Sequence, residues 1–152
     1  MRIYVASSWR NKYQPEIVHL LRGCGHAVYD FRNPFFGLKD GFRWSELDGG
    51  WESWTPAEYR KQLTTHPIAA LGFNNDFRAM QWADACVLVM PCGRSAHLEL
   101  GWCAGAGKKT IVHIPEPCEP ELMNLLANDI TLNEGELIGA LKGDPAGAAD
   151  TP

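Results

Sequence analysis

The sequence has no run of about 18 apolar residues, which excludes a membrane-spanning helix. It has no excess of basic residues: Lys and Arg total 14 against 18 Asp and Glu, a formal charge of −4. A surface of clustered basic side chains for nucleic acid is therefore not expected. The five cysteines (Cys24, Cys86, Cys92, Cys103 and Cys118) are odd in number and contain no CxxC pair. They argue for reduced thiols, against both a disulfide frame and a zinc site. The five histidines show no HxH or HExxH spacing, so no metal is expected. The opening residues, MRIYVASSWRNKYQPE, turn polar too early for a secretory signal. These absences point to a soluble cytoplasmic chain, and 152 residues suffice for one domain with a real core.

What is present alternates. RIYVA at Arg2–Ala6 reads as a strand, Tyr13–Arg22 as a helix stopped by Gly23 and Gly25, and Ala27–Tyr29 as a second strand ending at Asp30. Thr55-Pro56-Ala57-Glu58 has the form of a capping box with proline at the first helical position. A helix is expected there, and another from Pro67 to Trp82. The apolar runs Ala85–Met90 and Thr110–Ile114 predict strands covered on both faces. Ser95–Ala106 predicts the helix between them. A short helix at Glu119–Leu126, a strand near Ile130 and a helix at Glu134–Leu141 complete the pattern. Residues 1–142 form one expected domain, and 143–152 (GDPAGAADTP) an expected flexible tail. Strand–helix alternation of this kind predicts an α/β fold, a doubly wound parallel sheet of about five strands with helices on both faces. Ligands bind such sheets at the carboxyl ends of the strands, so the loops after Ala6, Tyr29, Met90 and Ile114 are the places to look.

The third of these reads PCGRSAHLELG. With Ser95 as N-cap, Glu99 falls just beyond the first helical turn, where the dipole favours an ionised carboxylate. Such a carboxylate at a strand's carboxyl end can act as a nucleophile, or it can merely complement the dipole or pair with Arg94. His97 is the one histidine near it. Gly101, Gly105 and Gly107 are expected to let the helix pack closely on the sheet or a ligand. In the first loop, Ser7, Ser8 and Arg10 suit a phosphate or sugar hydroxyl, or ordinary capping.

Residues 31–54 lack periodicity and hold Phe31, Phe35, Phe36, Phe42, Trp44, Trp51 and Trp54. Such a loop suits stacking on a planar ring, or alternatively a satellite hydrophobic cluster. Asn74-Asn75-Asp76 reads by default as an exposed polar face of its helix. Asp84 precedes its strand, about 17–20 Å from the carboxyl edge, and reads as structural.

Three stretches together carry a resemblance: IYVASSWRN, GFNNDFRAMQWADACVLVM and SAHLELGWCAGAGKKTIVHI. In order and spacing they resemble the nucleoside 2-deoxyribosyltransferase family over residues 2–114, and more weakly to about 131. The resemblance implies a flavodoxin-like sheet and cleavage of an N-glycosidic bond without a cofactor. It implies that Glu99 attacks the anomeric carbon, that Tyr4 contacts the nucleophile, and that Asp76 contacts or protonates the nucleobase. It also implies a homodimer or higher homo-oligomer, in which Asn128 or Asp129 of a neighbouring subunit completes the sugar site. The family's transferases carry an aspartate six residues before the nucleophile, where this chain has Gly93. Ser7, Ser8, Arg10, Arg94 and Ser95 look closer to the hydrolase branch, which acts on nucleoside 5′-monophosphates. Phe42 and Trp44 of the aromatic loop are then expected on the base side. The expectation is therefore release of a free base from a (deoxy)nucleoside monophosphate. Base exchange between nucleosides, hydrolysis of an NAD-like dinucleotide and binding without catalysis remain as alternatives.

Overall fold

The computed structural model describes residues 1–35 and 40–143; Phe36 of the aromatic loop and residues 144–152 of the expected tail lie outside them. The chain divides into two compact units, one of Met1–Val28 with the residues from Trp82 onward, the other of Tyr29–Gln81.

The first unit holds the alternation. Strands β1 (Arg2–Ala6), β2 (Ala27–Asp30), β3 (Ala85–Val89), β4 (Lys109–His113) and β5 (Asp129–Thr131) form one sheet in the order β2-β1-β3-β4-β5. The β1–β3, β3–β4 and β4–β5 pairs are parallel, with Tyr4 opposite Cys86 and Cys86 opposite Thr110. Helices α1 (Gln14–Gly23), α4 (Arg94–Gly105) and α5 (Glu134–Lys142) cover it. This is the doubly wound α/β arrangement expected from the sequence, with boundaries shifted by one or two residues at most strands and helices. The expected helix at Glu119–Leu126 is instead a short 3-10 turn, Leu122–Leu126.

The pleat sorts the side chains. Ile3, Val5, Ala85, Val87, Val89 and Ile111 point to one face, where they pack with Ile17, Val18 and Leu21 of α1 and Leu137 and Leu141 of α5. Tyr4, Cys86 and Thr110 alternate with them and so point to the other face, and α4 packs against β1, β3 and β4. Burying a side chain of this size removes roughly 1.5–3 kcal/mol of apolar exposure each. All of β3 is buried, as its unbroken apolar sequence requires. Asp84 closes the amino edge: its carboxylate accepts from the Arg2 backbone N–H at 2.8 Å and from the Arg2 guanidinium at 2.5 and 3.1 Å. That partnership holds its carboxyl down at about 2, as befits a structural residue.

The second unit carries α2 (Pro56–Thr65) and α3 (Pro67–Trp82, whose last residue belongs to the first unit). The capping box forms: Thr55 Oγ1 accepts from the Glu58 N–H at 3.3 Å, and Glu58 Oε2 accepts from the Thr55 N–H at 2.7 Å. Phe42, Trp44, Trp54 and Tyr59 pack on one another, with ring centroids 5.0–6.0 Å apart. Gly72 of α3 makes room for this cluster, since a Cβ there would come within 2.8 Å of the Phe42 ring. Gly72→Ala should therefore cost about 1–3 kcal/mol of stability despite alanine's better helix propensity. Urea unfolding measures this, and a neutral or stabilising result would show that the ring has another place to go.

Candidate active site

The strand order reverses between β1 and β3: from β1 the chain winds out to β2, and from β3 it winds the other way to β4 and β5. At such a switch point the loops from two adjacent strands diverge and leave a crevice at the carboxyl edge. Here that edge carries the loop of residues 7–13 and the turn of residues 90–93.

Where a parallel ladder ends, its last carbonyls lose their strand partners and need others. One buried side chain supplies most of them. Asn11, 3% exposed, donates through Nδ2 to the Val89 carbonyl at 3.0 Å and the Pro91 carbonyl at 2.9 Å. Its Oδ1 accepts from the backbone N–H groups of Tyr13 (2.7 Å) and Gln14 (3.2 Å) at the start of α1. The Ser7 hydroxyl donates to the same Val89 carbonyl at 2.8 Å. Ser7 is therefore engaged with the backbone, and Ser8 Oγ accepts from the Arg10 N–H at 3.2 Å. A second tie crosses from the β1 loop to the loop after β4. The Tyr13 hydroxyl donates to Glu116 Oε2 at 2.6 Å, and Lys12 Nζ lies 3.0 Å from the same oxygen. Both partners hold the Glu116 carboxyl below its ordinary value, the tyrosine foremost.

Helix α4 begins two residues earlier than a Ser95 cap would place it. Its N-cap is Gly93, extended at φ −92° and ψ 178°, with no side-chain capping bond. The shift brings Ala96, Leu100 and Cys103 onto the sheet as the helix's buried positions. Arg94 and Ser95 thus become the first two helical residues, and the first-turn N–H groups lack a side-chain acceptor. Glu99 falls in the second turn, past the range in which the dipole helps most. It lies half-buried beside the sheet-facing positions. Its charge is felt by thiols on two segments outside α4: it adds to the burial that pushes Cys92 up to about 12, and it raises Cys86 behind the effects of Cys103 and burial. Tyr4, 1% exposed, lies on the same face of the sheet as Cys86. Tyr4 and helix α4, which carries Glu99, thus lie on the same side of the sheet. His97 turns back to the turn before the helix, with Nδ1 3.3 Å from the Gly93 carbonyl oxygen and 3.5 Å from Cys92 Sγ. Arg10 and Arg94 are exposed and make no ion pair among the described residues.

Within its own chain Asn128 Oδ1 accepts from the Thr110 N–H (2.7 Å) and hydroxyl (3.1 Å), near the amino end of β4. Two expectations change. Gly101 and Gly105 are not needed for close packing, since a Cβ at either meets nothing within 4 Å, while Gly107 serves a turn at φ +70°. The polar run of α3 is not an exposed face either. Asn74 is exposed, but Asn75 is 4% exposed with its Nδ2 unpartnered among the described residues.

Asp76, in the second unit, is half-buried, and the buried Tyr29 hydroxyl donates to its Oδ1 at 2.8 Å. Burial raises the carboxyl from 3.8 to about 6, against the opposing effect of Tyr29. Phe42 and Trp44, expected near a base, are half-buried in the aromatic cluster that packs this unit. Among the described residues no group of three or more His, Cys, Asp or Glu side chains could hold a metal ion. Nor is any helix long and apolar enough to cross a membrane.

Sequence reasoning missed Asn11 and the Tyr13–Glu116 tie. An asparagine shortly before a helix is a legible capping signal, but its bonds to residues 89 and 91 are not local.

A carboxylic acid that titrates at about 6 when folded and near 3.8 when unfolded favours folding most below pH 4, and that advantage is lost as pH rises to 6. The stability difference between Asp76→Asn and the parent should therefore move in the variant's favour between pH 4 and pH 7, by on the order of 1–2 kcal/mol. Denaturant titrations at the two pH values measure it, and a pH-independent difference would contradict the assignment.

No family model and no curated protein matches the sequence. Solved structures do. A 2-deoxyribosyltransferase from the psychrotolerant bacterium Bacillus psychrosaccharolyticus superposes with a TM-score of 0.65 at 19% identity, over 96% of this chain and 99% of that one. The CMP N-glycosidase BcmB of Clostridium botulinum gives 0.50 at 17% identity, over 94% and 100%. Over nearly its whole length, the chain has the fold of a 2-deoxyribosyltransferase and a CMP N-glycosidase.

Proposed function

We propose that this protein cleaves the N-glycosidic bond of a (deoxy)nucleoside 5′-monophosphate and releases the free base through a covalent glycosyl-Glu99 intermediate. The observation that carries this reading is the pairing of two arginines that make no ion pair among the described residues with a helix start at the switch point that has no side-chain cap. Arg10 lies in the loop after β1 and Arg94 is the first residue of α4, whose N-cap Gly93 makes no side-chain capping bond. Such a helix start favours an anion, and guanidinium groups match phosphate geometry. Glu99 follows Arg94 by five residues, about 7.5 Å along the axis, and helical side chains lean back towards the N-terminus. A phosphate at the helix start would leave the sugar of the same nucleotide beside Glu99.

The chemistry follows that of retaining glycosidases. Glu99 forms the bond to C1′ as the C1′–N bond breaks, the electron pair leaves with the base, and an acid protonates it. By resemblance the acid is Asp76, and Tyr4 orients Glu99. Water then attacks C1′, loses a proton and frees the glutamate. Ser95 and Ser8 are assigned to the phosphate side, with Ser7 holding the loop. Gly93, in place of an aspartate, removes one carboxylate from the neighbourhood of a phosphate. The similarity in fold to a CMP N-glycosidase supports this reading, and the similarity to a 2-deoxyribosyltransferase supports base exchange as the second one.

The protein is further proposed to self-associate. Leu122, Met123, Leu125, Leu126, Ile130 and Leu132 are 48–77% exposed on the last turn and edge strand of the sheet, a concentration that monomers avoid. Light scattering should give a dimer or larger species, and Leu125→Asp should shift it towards monomer; a monomeric parent would refute the idea.

Base release from nucleosides, their 5′-monophosphates and NAD, with and without a second base, tests the activity. Glu99→Ala should lose about 1,000-fold or more in rate while remaining folded. Arg94→Ala should lower kcat/KM for monophosphates by about 10- to 100-fold and change nucleosides little. Retained activity in Glu99→Ala would remove the nucleophile. Equal losses for both substrate types in Arg94→Ala would remove the phosphate site. Product formed only with an added base would make the protein a transferase, and binding without release would make it a nucleotide-binding module.

A further inference from the structure

Tyr29 is engaged by nothing in the mechanism so far, yet it is a phenol 1% exposed whose hydroxyl points at a carboxylate. We propose that Tyr29 is a positioning residue for Asp76: it occupies Oδ1, so that the acidic proton resides on Oδ2 and is presented from that oxygen alone. The proposal rests on the assignment of Asp76 as the acid, and it adds which oxygen acts and what holds it.

The geometry is specific. A carboxylic acid has one O–H and can place it on either oxygen. An oxygen that already accepts a hydrogen bond at 2.8 Å from a fixed donor is the better acceptor and the poorer site for the proton. Tyr29 cannot swing away at low cost. It is the third residue of β2, its ring is buried, and Phe35 meets it edge-on at a centroid distance of 5.2 Å and an interplanar angle of 73°. Asp76 lies within α3, so both partners are carried by regular backbone.

Two influences act on the Asp76 carboxyl among the described residues, and neither is a full charge. Burial disfavours the carboxylate, and the Tyr29 hydroxyl favours it. The neighbours on the helix are neutral: Asn74 and Asn75 precede Asp76, Phe77 follows it, and the exposed Arg78 is not among its perturbants. The carboxyl is thereby poised near neutrality, where a general acid can both hold and release its proton. Without Tyr29, burial alone would act: the proton would be held more tightly and shared between two oxygens. In the reacting complex, the base nitrogen takes the Oδ2 proton as it gains the electron pair of the C1′–N bond. The resulting carboxylate keeps the Tyr29 hydrogen bond on Oδ1.

The test is Tyr29→Phe, read in two ways. Carboxyl-carbon NMR, with the Asp76 signal assigned by its loss in Asp76→Asn, follows the titration without any substrate. The pH dependence of base release from the substrate found active follows its catalytic counterpart. The Asp76 midpoint should rise by about 1 pH unit when the hydroxyl is removed. The alkaline limb of kcat should rise with it, while the plateau of kcat falls by about 10-fold and KM changes little. An unmoved NMR midpoint would overturn the proposal whatever the kinetics did. A moved midpoint with an unchanged kcat profile would leave Tyr29 holding the carboxyl and refute Asp76 as the acid. Absence of base release from every substrate would likewise count against the proposed function, and the NMR titration would still decide the Tyr29 contact. If Tyr29→Phe does not fold, 3-fluorotyrosine at position 29 keeps the ring and supplies a stronger donor, and the midpoint should then fall; no change would again overturn the proposal.

Discussion

The carbonyl groups at the end of β3 are the constraint on which the candidate site depends. A parallel strand that stops at a switch point exposes carbonyls with no ladder partner, and those groups need partners from elsewhere. Asn11 resolves this with four hydrogen bonds, two donated to residues 89 and 91 and two accepted from the start of α1. The first loop, the turn before α4 and the first helix are thereby set by one amide. Because that turn also sets where α4 begins, the same amide settles which residues lie at the helix start and how far along Glu99 stands. Ser7, which shares the Val89 carbonyl, belongs to this framework more than to a ligand.

The two units meet different electrostatic demands. In the first, Arg94 opens α4 and makes no ion pair among the described residues, and a helix start of this kind favours an anion. Burial first, and then the charge of Glu99, disfavours the Cys92 thiolate. The second holds a carboxyl at the threshold of protonation through burial, moderated by one hydroxyl. The glycosidic cleavage proposed for this protein asks for one carboxyl group kept ionised and one kept protonated, and separate surroundings are the general way to provide both.

The aromatic loop shows how composition can be read in two directions. Seven aromatic side chains in 24 residues suggest either ring stacking on a ligand or a local core. Phe42 and Trp44 pack with Trp54 and Tyr59, and Gly72 is the residue whose missing Cβ admits the Phe42 ring. The glycine and its ring are 30 residues apart, so no window along the chain could pair them. Asn75 and Asp76 are a similar case. A polar triplet in a helix defaults to solvent when only its own helix is considered, and burial emerges once Tyr29 takes its place against Asp76.

The sequence by itself determined the elements and their kind. Apolar runs of strand length, a capping box at Thr55, glycines after α1 and the alternation of strand with helix are all local signals, because they reflect each residue's own backbone preference and period. They fixed the α/β class, the parallel sheet and the edge at which to look, and the ELG and NND stretches marked Glu99 and Asp76. Only the tertiary structure decided how the polar groups are engaged. It assigned Asn11 and Ser7 to the backbone, moved the start of α4 to Gly93, sent Asn128 to the far end of β4 and gave Asp76 its tyrosine. The reason is that a hydrogen-bonding group is satisfied by whichever partner folding brings within about 3 Å, and those partners lie up to 103 residues away along the chain.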